Sequence, residues 1–146
     1  MSDATTLSDY CATISVAKPV PEVREAIMND MHIWWSSKVD RDADGATIHF
    51  GPSHVRFVFE GPDGLDWLCV DANMIIEDVA DTAEWQGTRL RWHLEAKGET
   101  TNVTLTHVGL NADLECLDVC TRGWQHFFEH SLRNHLSDAP AAPETR

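Results

Sequence analysis

The pattern of apolar and polar positions at the start of the chain predicts a strand and then two short helices. Residues 10–16 alternate between apolar and polar side chains, which is typical of a half-buried strand. Pro19 and Pro21 then break the strand, and apolar residues recur at helical spacing up to Met28. The apolar group Ile33-Trp34-Trp35 predicts a second short helix or turn.

The middle of the chain predicts five strands. They cover residues 47–50, 54–60, 66–74, 89–95 and 102–110. Glycine and proline turns separate the first three, and strands joined by tight turns pair antiparallel. One strand shows the pattern most clearly, because its apolar residues are expected in the core and its polar residues in water. The apolar set is Leu90, Trp92 and Leu94, and the polar set is Arg89, Arg91 and His93.

The last element is predicted to be one long helix with an aromatic face. Its spacing predicts a helix over residues 112–136, with Asn111 or Asp113 as N-cap. At about 100° per residue, the face centred on Trp124 is mostly apolar and the opposite face is charged. The Trp124 face also holds Leu117, Cys120, Phe127, Phe128, Ser131 and His135. This face is expected to pack on the antiparallel sheet, which predicts an α+β domain.

Composition indicates one acidic domain with free thiols. The chain has 146 residues, 42% of them hydrophobic, and a formal net charge of −13. Such a charge argues against binding to nucleic acid or to an anionic membrane. The four cysteines include no Cys-x-x-Cys pair, and the first eight residues lack an apolar signal core, so we expect a cytoplasmic protein. We expect the domain to cover residues 9–137, with flexible termini at 1–8 and 138–146.

The last helix carries a His-x-x-Glu-His sequence, which one class of zinc proteases uses to bind metal. His126, Glu129 and His130 match it. That class needs a further carboxylate ligand well downstream, however, and only sixteen residues follow His130. Both histidines also fall toward the charged face of the helix. We therefore predict surface histidines, no bound metal and no cofactor.

Two other clusters have simple structural interpretations. Cys116 and Cys120 lie one helical turn apart toward the apolar side, so we expect two small buried side chains, with a redox or metal pair as the alternative. Asp40, Asp42 and Asp44 alternate like the acids of a calcium loop, but no Glu closes the loop at the twelfth position. We expect no calcium site there.

His107 has two interpretations. It follows the parity of Val103 and Leu105, so its side chain is expected on the core side of its strand. One interpretation is a packed histidine bonded to a backbone carbonyl. The other is a polar group in a cavity wall, available to anchor a ligand or to act as an acid or base.

Several short motifs are spread along the chain: Ile14-Ser15-Val16, Pro21-Glu22-Val23, Trp34-Trp35, Glu84-Trp85-Gln86-Gly87-Thr88, Thr106-His107-Val108-Gly109-Leu110, Glu115-Cys116, Val119-Cys120, Gly123-Trp124 and Ser131-Leu132. Together they resemble the SRPBCC or START-like superfamily, especially its branch of heat-shock protein 90 ATPase activator homologues. The resemblance covers roughly residues 10–136 and implies a helix-grip fold, in which a curved antiparallel sheet wraps round a long C-terminal helix and a cavity lies between them. Superfamily members bind lipids, hormones and polyketides, and some are cyclases or hydroxylase subunits.

The leading hypothesis is a protein that binds a small apolar or amphipathic ligand between the sheet and the C-terminal helix. One alternative is a cyclase- or isomerase-type enzyme with His107 as its acid or base. The other is a co-chaperone-like domain that binds a protein partner or a second copy of the chain. The predicted ligand contacts are Phe57, Phe59, Leu90, Trp92, Val103, Leu105, His107, Cys120, Trp124, Phe127, Phe128 and Ser131.

Overall fold

A curled antiparallel sheet forms the body of the protein. The computed structural model describes residues 8–145, and within them the sheet has seven strands in the order β1-β7-β6-β5-β4-β3-β2. Strands β2 to β7 follow one another as a meander, and β1 joins the far edge by pairing with β7. The sheet curls into a half-barrel. The strands are β1 (Tyr10–Val16), β2 (Lys38–Arg41), β3 (Gly45–Phe50), β4 (Ser53–Glu60), β5 (Asp66–Asn73), β6 (Arg89–Lys97) and β7 (Thr100–Val108).

Helices cover the concave side of this sheet. Two short helices, α1 (Val20–Asn29) and α2 (Met31–Trp34), connect β1 to β2. The C-terminal helix begins as α3 (Leu117–His126), continues as a π-helical segment (Phe127–Leu132) and ends as α4 (Arg133–His135). The α+β helix-grip architecture that the sequence predicts is thus confirmed.

The core lies between the concave sheet face and the C-terminal helix. On β7 every second residue is buried, and Val103, Leu105 and His107 are all fully enclosed. Trp124 of α3 is 2% exposed and faces this layer. The side chains of Arg91 and His93 are exposed on the other face of the sheet, as the alternation of β6 predicts.

The predicted start of the last helix is wrong by five residues. The Oδ1 atom of Asn111 accepts a bond from the Asp113 N–H at 3.0 Å, which makes a local turn and not a helix cap. The helix begins at Leu117, and the carboxylate of Glu84 accepts the N–H groups of Glu115 and Cys116 just ahead of it, at 2.9 and 3.1 Å. This carboxylate comes from the β5–β6 loop and satisfies backbone donors that no nearby side chain satisfies.

The described part of the C-terminal segment is attached to the body of the protein. The N–H of Ala142 donates to Ser131 Oγ at 2.8 Å, and the N–H of Glu144 donates to the Trp35 carbonyl at 2.9 Å. The N–H of Ser37 donates in turn to the Glu144 carbonyl at 2.8 Å. Of the predicted flexible N-terminus, residues 1–7 lie outside the described residues. Between residues 8 and 145, no helix is both long enough and apolar enough to cross a membrane.

Candidate functional site

A cavity opens between α3 and the loop that joins β5 to β6. Its volume is about 380 Å³, within the range of roughly 300–1,000 Å³ that is common for small-molecule sites. Four parts of the chain build it: the end of α2, the β3–β4 hairpin, the β5–β6 loop and the C-terminal helix with its following segment. Its lining residues are Trp35, Phe50, Ser53, Met74, Ile75, Ile76, Glu77, Trp85, Val119, Cys120, Gly123, Trp124, Phe127 and Glu144.

A continuous row of aromatic rings forms one wall. Trp85 stacks on Trp124 with ring centroids 5.9 Å apart, and Trp124 lies 5.1 Å from Trp35. Trp35 lies 6.0 Å from Phe50, which lies 6.1 Å from Phe127. The residues come from four separate elements, so the row exists only once the sheet, the loop and both helical regions are assembled.

The rim of the cavity is apolar and exposed. Ile75 is 57% exposed and Val119 is 41% exposed, although both are large aliphatic residues. Gly123 adds to the opening, because a Cβ built on it would meet no atom within 4 Å. Exposed apolar side chains therefore surround the mouth of the cavity, and an apolar ligand would remove them from water.

A second depression, between β1 and α3, is less suited to an apolar ligand. It is larger, at about 620 Å³, and six of its nine lining residues are polar, among them Asp9, Asp118, Arg122 and Gln125. Because its wall is more open and carries charged side chains, the cavity beside Trp124 is the better candidate for an apolar ligand.

His107 lies behind the aromatic wall in a closed hydrogen-bond chain. The Trp124 indole N–H donates to its Nδ1 at 3.0 Å. Its Nε2 lies 2.9 Å from Thr88 Oγ1, and that hydroxyl donates to the Trp85 carbonyl at 2.6 Å. These partners assign a neutral ring with its proton on Nε2. This hydrogen-bond chain fixes Trp85 and Trp124, two residues of the cavity wall, relative to β7.

Burial keeps His107 neutral. The side chain is fully enclosed, and this desolvation lowers its pKa from 6.5 to about 3; the negative charge of Asp9 offsets only part of the effect. The ring does not line the cavity. Of the two interpretations of His107, the structure favours a packed histidine, with the backbone carbonyl reached through the Thr88 hydroxyl.

The two cysteines of the last helix are buried. Cys120 lines the cavity, and the Trp85 indole N–H donates to its Sγ at 3.2 Å. The hydrogen bond with Cys116, followed by burial, raises the pKa of the Cys120 thiol. Because a protonated thiol is a poor nucleophile, Cys120 serves as part of an apolar wall.

The predicted ligand contacts fall into three groups. Cys120, Trp124 and Phe127 line the cavity. Ser131 does not, because it is fully buried where the helix meets the C-terminal segment: its Oγ donates to the Trp34 carbonyl at 2.7 Å and accepts from the N–H of Ala142. The remaining eight lie in or against the core beyond the wall, and their part in binding stays a prediction. These are Phe57, Phe59, Leu90, Trp92, Val103, Leu105, His107 and Phe128.

The other polar clusters have structural partners. His126 Nε2 lies 2.8 Å from the Ala142 carbonyl. The Asp42 carboxylate binds the N–H groups of Asp44 and Gly45 and the Arg56 guanidinium, and its hydrogen bond with Arg56 lowers its pKa to about 2. Across residues 8–145, no group of three or more His, Cys, Asp or Glu side chains is placed to hold a metal ion.

Comparison with known proteins supports the fold. No family model and no curated protein matches the sequence. Among solved structures, the Aha1 dimer from Colwellia psychrerythraea matches with a TM-score of 0.68 and 16% identity, over 88% of this chain and 96% of that one. SSP2350 from Staphylococcus saprophyticus matches with a TM-score of 0.59 and 16% identity, over 92% and 98%.

A third solved structure comes from a biosynthetic locus. DynU16, from the dynemicin biosynthetic locus, matches with a TM-score of 0.63 and 18% identity. The match covers 93% of this chain but 50% of that one, so this chain spans about half of DynU16. Together with the sheet order and the C-terminal helix, these likenesses show that the chain has the helix-grip fold, as the sequence motifs predict.

Proposed function

We propose that this protein binds a small apolar or amphipathic molecule in the cavity beside Trp124. The observation that carries the proposal is an apolar cavity of about 380 Å³ whose exposed rim is formed by Ile75 and Val119. Burial of apolar area would supply the affinity, at roughly 25 cal/mol per Å² before the costs of association.

Hydrogen bonds hold two rings of the aromatic wall in place, which favours binding. Trp85 and Trp124 are tied to β7 through the hydrogen-bond chain of His107. A ligand would therefore meet a preformed surface and would not need to order it, so less of the interaction energy would be lost to conformational entropy.

Binding is better supported than catalysis by His107. Its two ring nitrogens are engaged by Trp124 and Thr88, and its pKa of about 3 leaves it neutral at physiological pH. A group with neither a free nitrogen nor access to the cavity is poorly placed to move a proton of a ligand.

A second candidate function is self-association or binding to another protein. The similar Colwellia structure is a dimer, which favours testing this chain for the same property. Sedimentation equilibrium at micromolar concentration would decide the question: a single species of monomer mass would contradict self-association. The cytoplasmic location expected from the sequence stays a prediction.

The test of ligand binding fills the cavity. Gly123 lies on α3 at the cavity wall, so Gly123→Leu would place a side chain in open space and would also favour the helix, since Gly disfavours a helix interior by about 1 kcal/mol. The matched control is Gln125→Leu, which adds the same side chain at an exposed position of the same helix. The probe is N-phenylnaphthylamine, a neutral apolar fluorescent dye.

A ligand of this size gains roughly 0.3 kcal/mol or more of binding free energy per non-hydrogen atom. We therefore expect the wild type to bind the dye with a dissociation constant of about 1–100 μM. Gly123→Leu should abolish saturable binding without lowering the melting temperature, and Gln125→Leu should bind as the wild type does. Unsaturable dye binding by the wild type, or equal binding by Gly123→Leu, would contradict the proposal.

A further inference from the structure

Most tryptophans of this protein use their indole N–H inside the fold, but Trp35 does not. Its N–H has no hydrogen-bond acceptor among residues 8–145. Since an indole offers one donor and no acceptor, Trp35 keeps that donor for another molecule. Four of the six indole groups donate to acceptors of the chain at 2.8–3.2 Å, and these are Trp34, Trp67, Trp85 and Trp124.

The Trp35 donor lies where its ring borders the cavity. The residue is 1% exposed, and its ring packs against Trp34, Phe57 and Trp124. Within the described residues, Trp92 has the one fully enclosed side-chain donor without a partner, so the Trp35 nitrogen is not fully enclosed. Trp35 lines the cavity and not the depression between β1 and α3. The small open part of its ring, which includes the N–H, therefore faces the cavity.

A second donor lies at the same end of the cavity. Ser53 lines the cavity and is 7% exposed. Its Oγ accepts the N–H of Ile75 at 2.9 Å, and its hydroxyl hydrogen has no acceptor in the described part of the chain. Ser53 pairs with Phe50 across the β3–β4 hairpin, and the Phe50 ring lies 6.0 Å from the Trp35 ring. Both donors therefore belong to the hairpin end of the wall.

Other parts of the wall offer a ligand fewer donors. The indole N–H groups of Trp85 and Trp124 are engaged within the protein, and the N–H of Met74 donates to a backbone carbonyl at 2.7 Å. The exposed rim residues Ile75 and Val119 have apolar side chains. A ligand would thus meet two neighbouring donors at the hairpin end and apolar side chains at the mouth.

We propose that the cavity recognises apolar molecules that carry a carbonyl group, such as a ketone or an ester, with Trp35 and Ser53 as the donors to the carbonyl oxygen. That oxygen has two lone pairs and can accept both donors. A hydrocarbon of the same shape would cover the two donors and leave them unpaired, which costs free energy. The inference rests on the proposed function, since it names the class of ligand for that same cavity.

The experiment compares two ligands of nearly the same shape. Acetylnaphthalene has a carbonyl oxygen where isopropenylnaphthalene, substituted at the same ring position, has a methylene group. Dissociation constants are measured by displacement of N-phenylnaphthylamine from the wild-type protein. Relative to their partition from water into cyclohexane, a solvent without donors, the ketone should bind at least about tenfold better than the hydrocarbon.

Variants that remove one donor each assign the effect to these residues. Ser53→Ala and Trp35→Phe should each raise the ratio of the ketone constant to the hydrocarbon constant about three- to tenfold. The ratio is the measure because Trp35→Phe also changes the shape of the wall, which affects both ligands. Ser53→Thr keeps the hydroxyl and should keep the wild-type ratio. Ser15→Ala removes an exposed hydroxyl outside the cavity lining and should change neither constant.

The wild type alone provides a second measurement if a variant does not fold. The carbon-13 resonance of the labelled carbonyl in bound acetylnaphthalene should lie downfield of its position in cyclohexane, because hydrogen bonding deshields that carbon. A resonance at the cyclohexane position would overturn the inference.

The outcomes separate this inference from the binding proposal. A ratio that stays unchanged in Ser53→Ala or in Trp35→Phe would overturn the assignment of two donors to one carbonyl. If the hydrocarbon displaces the dye in a way that Gly123→Leu abolishes, the binding proposal stands even then. If neither ligand displaces the dye, the carbonyl inference is overturned, and the dye titration with Gly123→Leu decides the binding proposal separately.

Discussion

Stability should depend on pH through His107 in a way that can be isolated by one substitution. The ring is held neutral in the folded protein, with a pKa of about 3, against 6.5 for an exposed histidine. The folded state therefore binds fewer protons than the unfolded state between these two values, and stability falls as the pH drops below about 6.5.

The magnitude follows from linkage. At about pH 5 the unfolded state is protonated at His107 and the folded state is not. The free energy of unfolding therefore falls by close to 1.4 kcal/mol for each pH unit below 6.5, which amounts to about 2 kcal/mol relative to neutral pH. Carboxylates titrate in the same range, so the total pH dependence does not isolate one residue. His107→Gln cannot take up the proton, and the difference between wild type and variant removes the other groups.

Urea denaturation of both proteins at about pH 7.5 and about pH 5 measures this difference. At neutral pH we expect His107→Gln to be less stable by about 1–3 kcal/mol, because it disturbs the bonds of Trp124 and Thr88. The gap should shrink by about 2 kcal/mol at the lower pH. A gap that is the same at both pH values would refute the claim that a neutral His107 is enclosed behind the wall.

Three other experiments test the packing. Trp124→Ala should lower the free energy of unfolding by about 3–5 kcal/mol, since the side chain is 2% exposed; a loss below about 1 kcal/mol in urea denaturation would contradict its burial. Gly45→Ala should lower the free energy of unfolding by at least about 2 kcal/mol, because its Cβ would lie 1.9 Å from the Phe57 carbonyl oxygen. Gly123→Ala should be neutral or stabilising by up to about 1 kcal/mol. Equal melting temperatures for the two variants would contradict this contrast. A thiol reagent should modify Cys11 quickly and the three buried cysteines only on unfolding, and fast reaction of all four native thiols would show an open core.

The strands could be predicted because burial on alternate residues leaves a direct record in the sequence. Residues 89–95 show it in full, and β6 covers them within Arg89–Lys97. Strand β2 was missed because it lies at the sheet edge with three of its four residues exposed, so its sequence carries no alternation. An edge strand is defined by its partner, which the local pattern does not reveal.

The start of the last helix was missed for a similar reason. Asn111 and Asp113 are the usual capping residue types, but the carboxylate of Glu84, some thirty residues earlier in the chain, accepts the backbone donors at residues 115 and 116. A cap supplied through tertiary contact has no local sequence signal. The motif containing Glu84 and Trp85 was noticed in the sequence, but its contact with the helix was not.

The sequence predicts a cavity between the sheet and the C-terminal helix, whereas the cavity in the structure lies between that helix, the β3–β4 hairpin and the β5–β6 loop and shares three of the predicted contacts. Cys120, Trp124 and Phe127 were found because they share a helix face, which helical spacing reveals. The sequence does not predict the part of the β5–β6 loop in this cavity, because Ile75 and Ile76 stand in a segment without periodicity; in the structure Ile75 is exposed and Ile76 is partly buried. Trp35 and Phe50 are not among the predicted contacts, because one sequence does not distinguish a ring that meets another ring from one that borders empty space.

The most direct test of the binding claim is a titration of the indole N–H resonances by two-dimensional NMR. The protein has six tryptophans; three line the cavity, Trp35, Trp85 and Trp124, and three lie in the core beyond it, Trp34, Trp67 and Trp92. With increasing N-phenylnaphthylamine, the first three resonances should shift together and saturate along one curve that fits a single site, while the other three shift far less. Absence of saturable shifts, or larger shifts in the second set, would contradict the claim that this cavity binds apolar ligands.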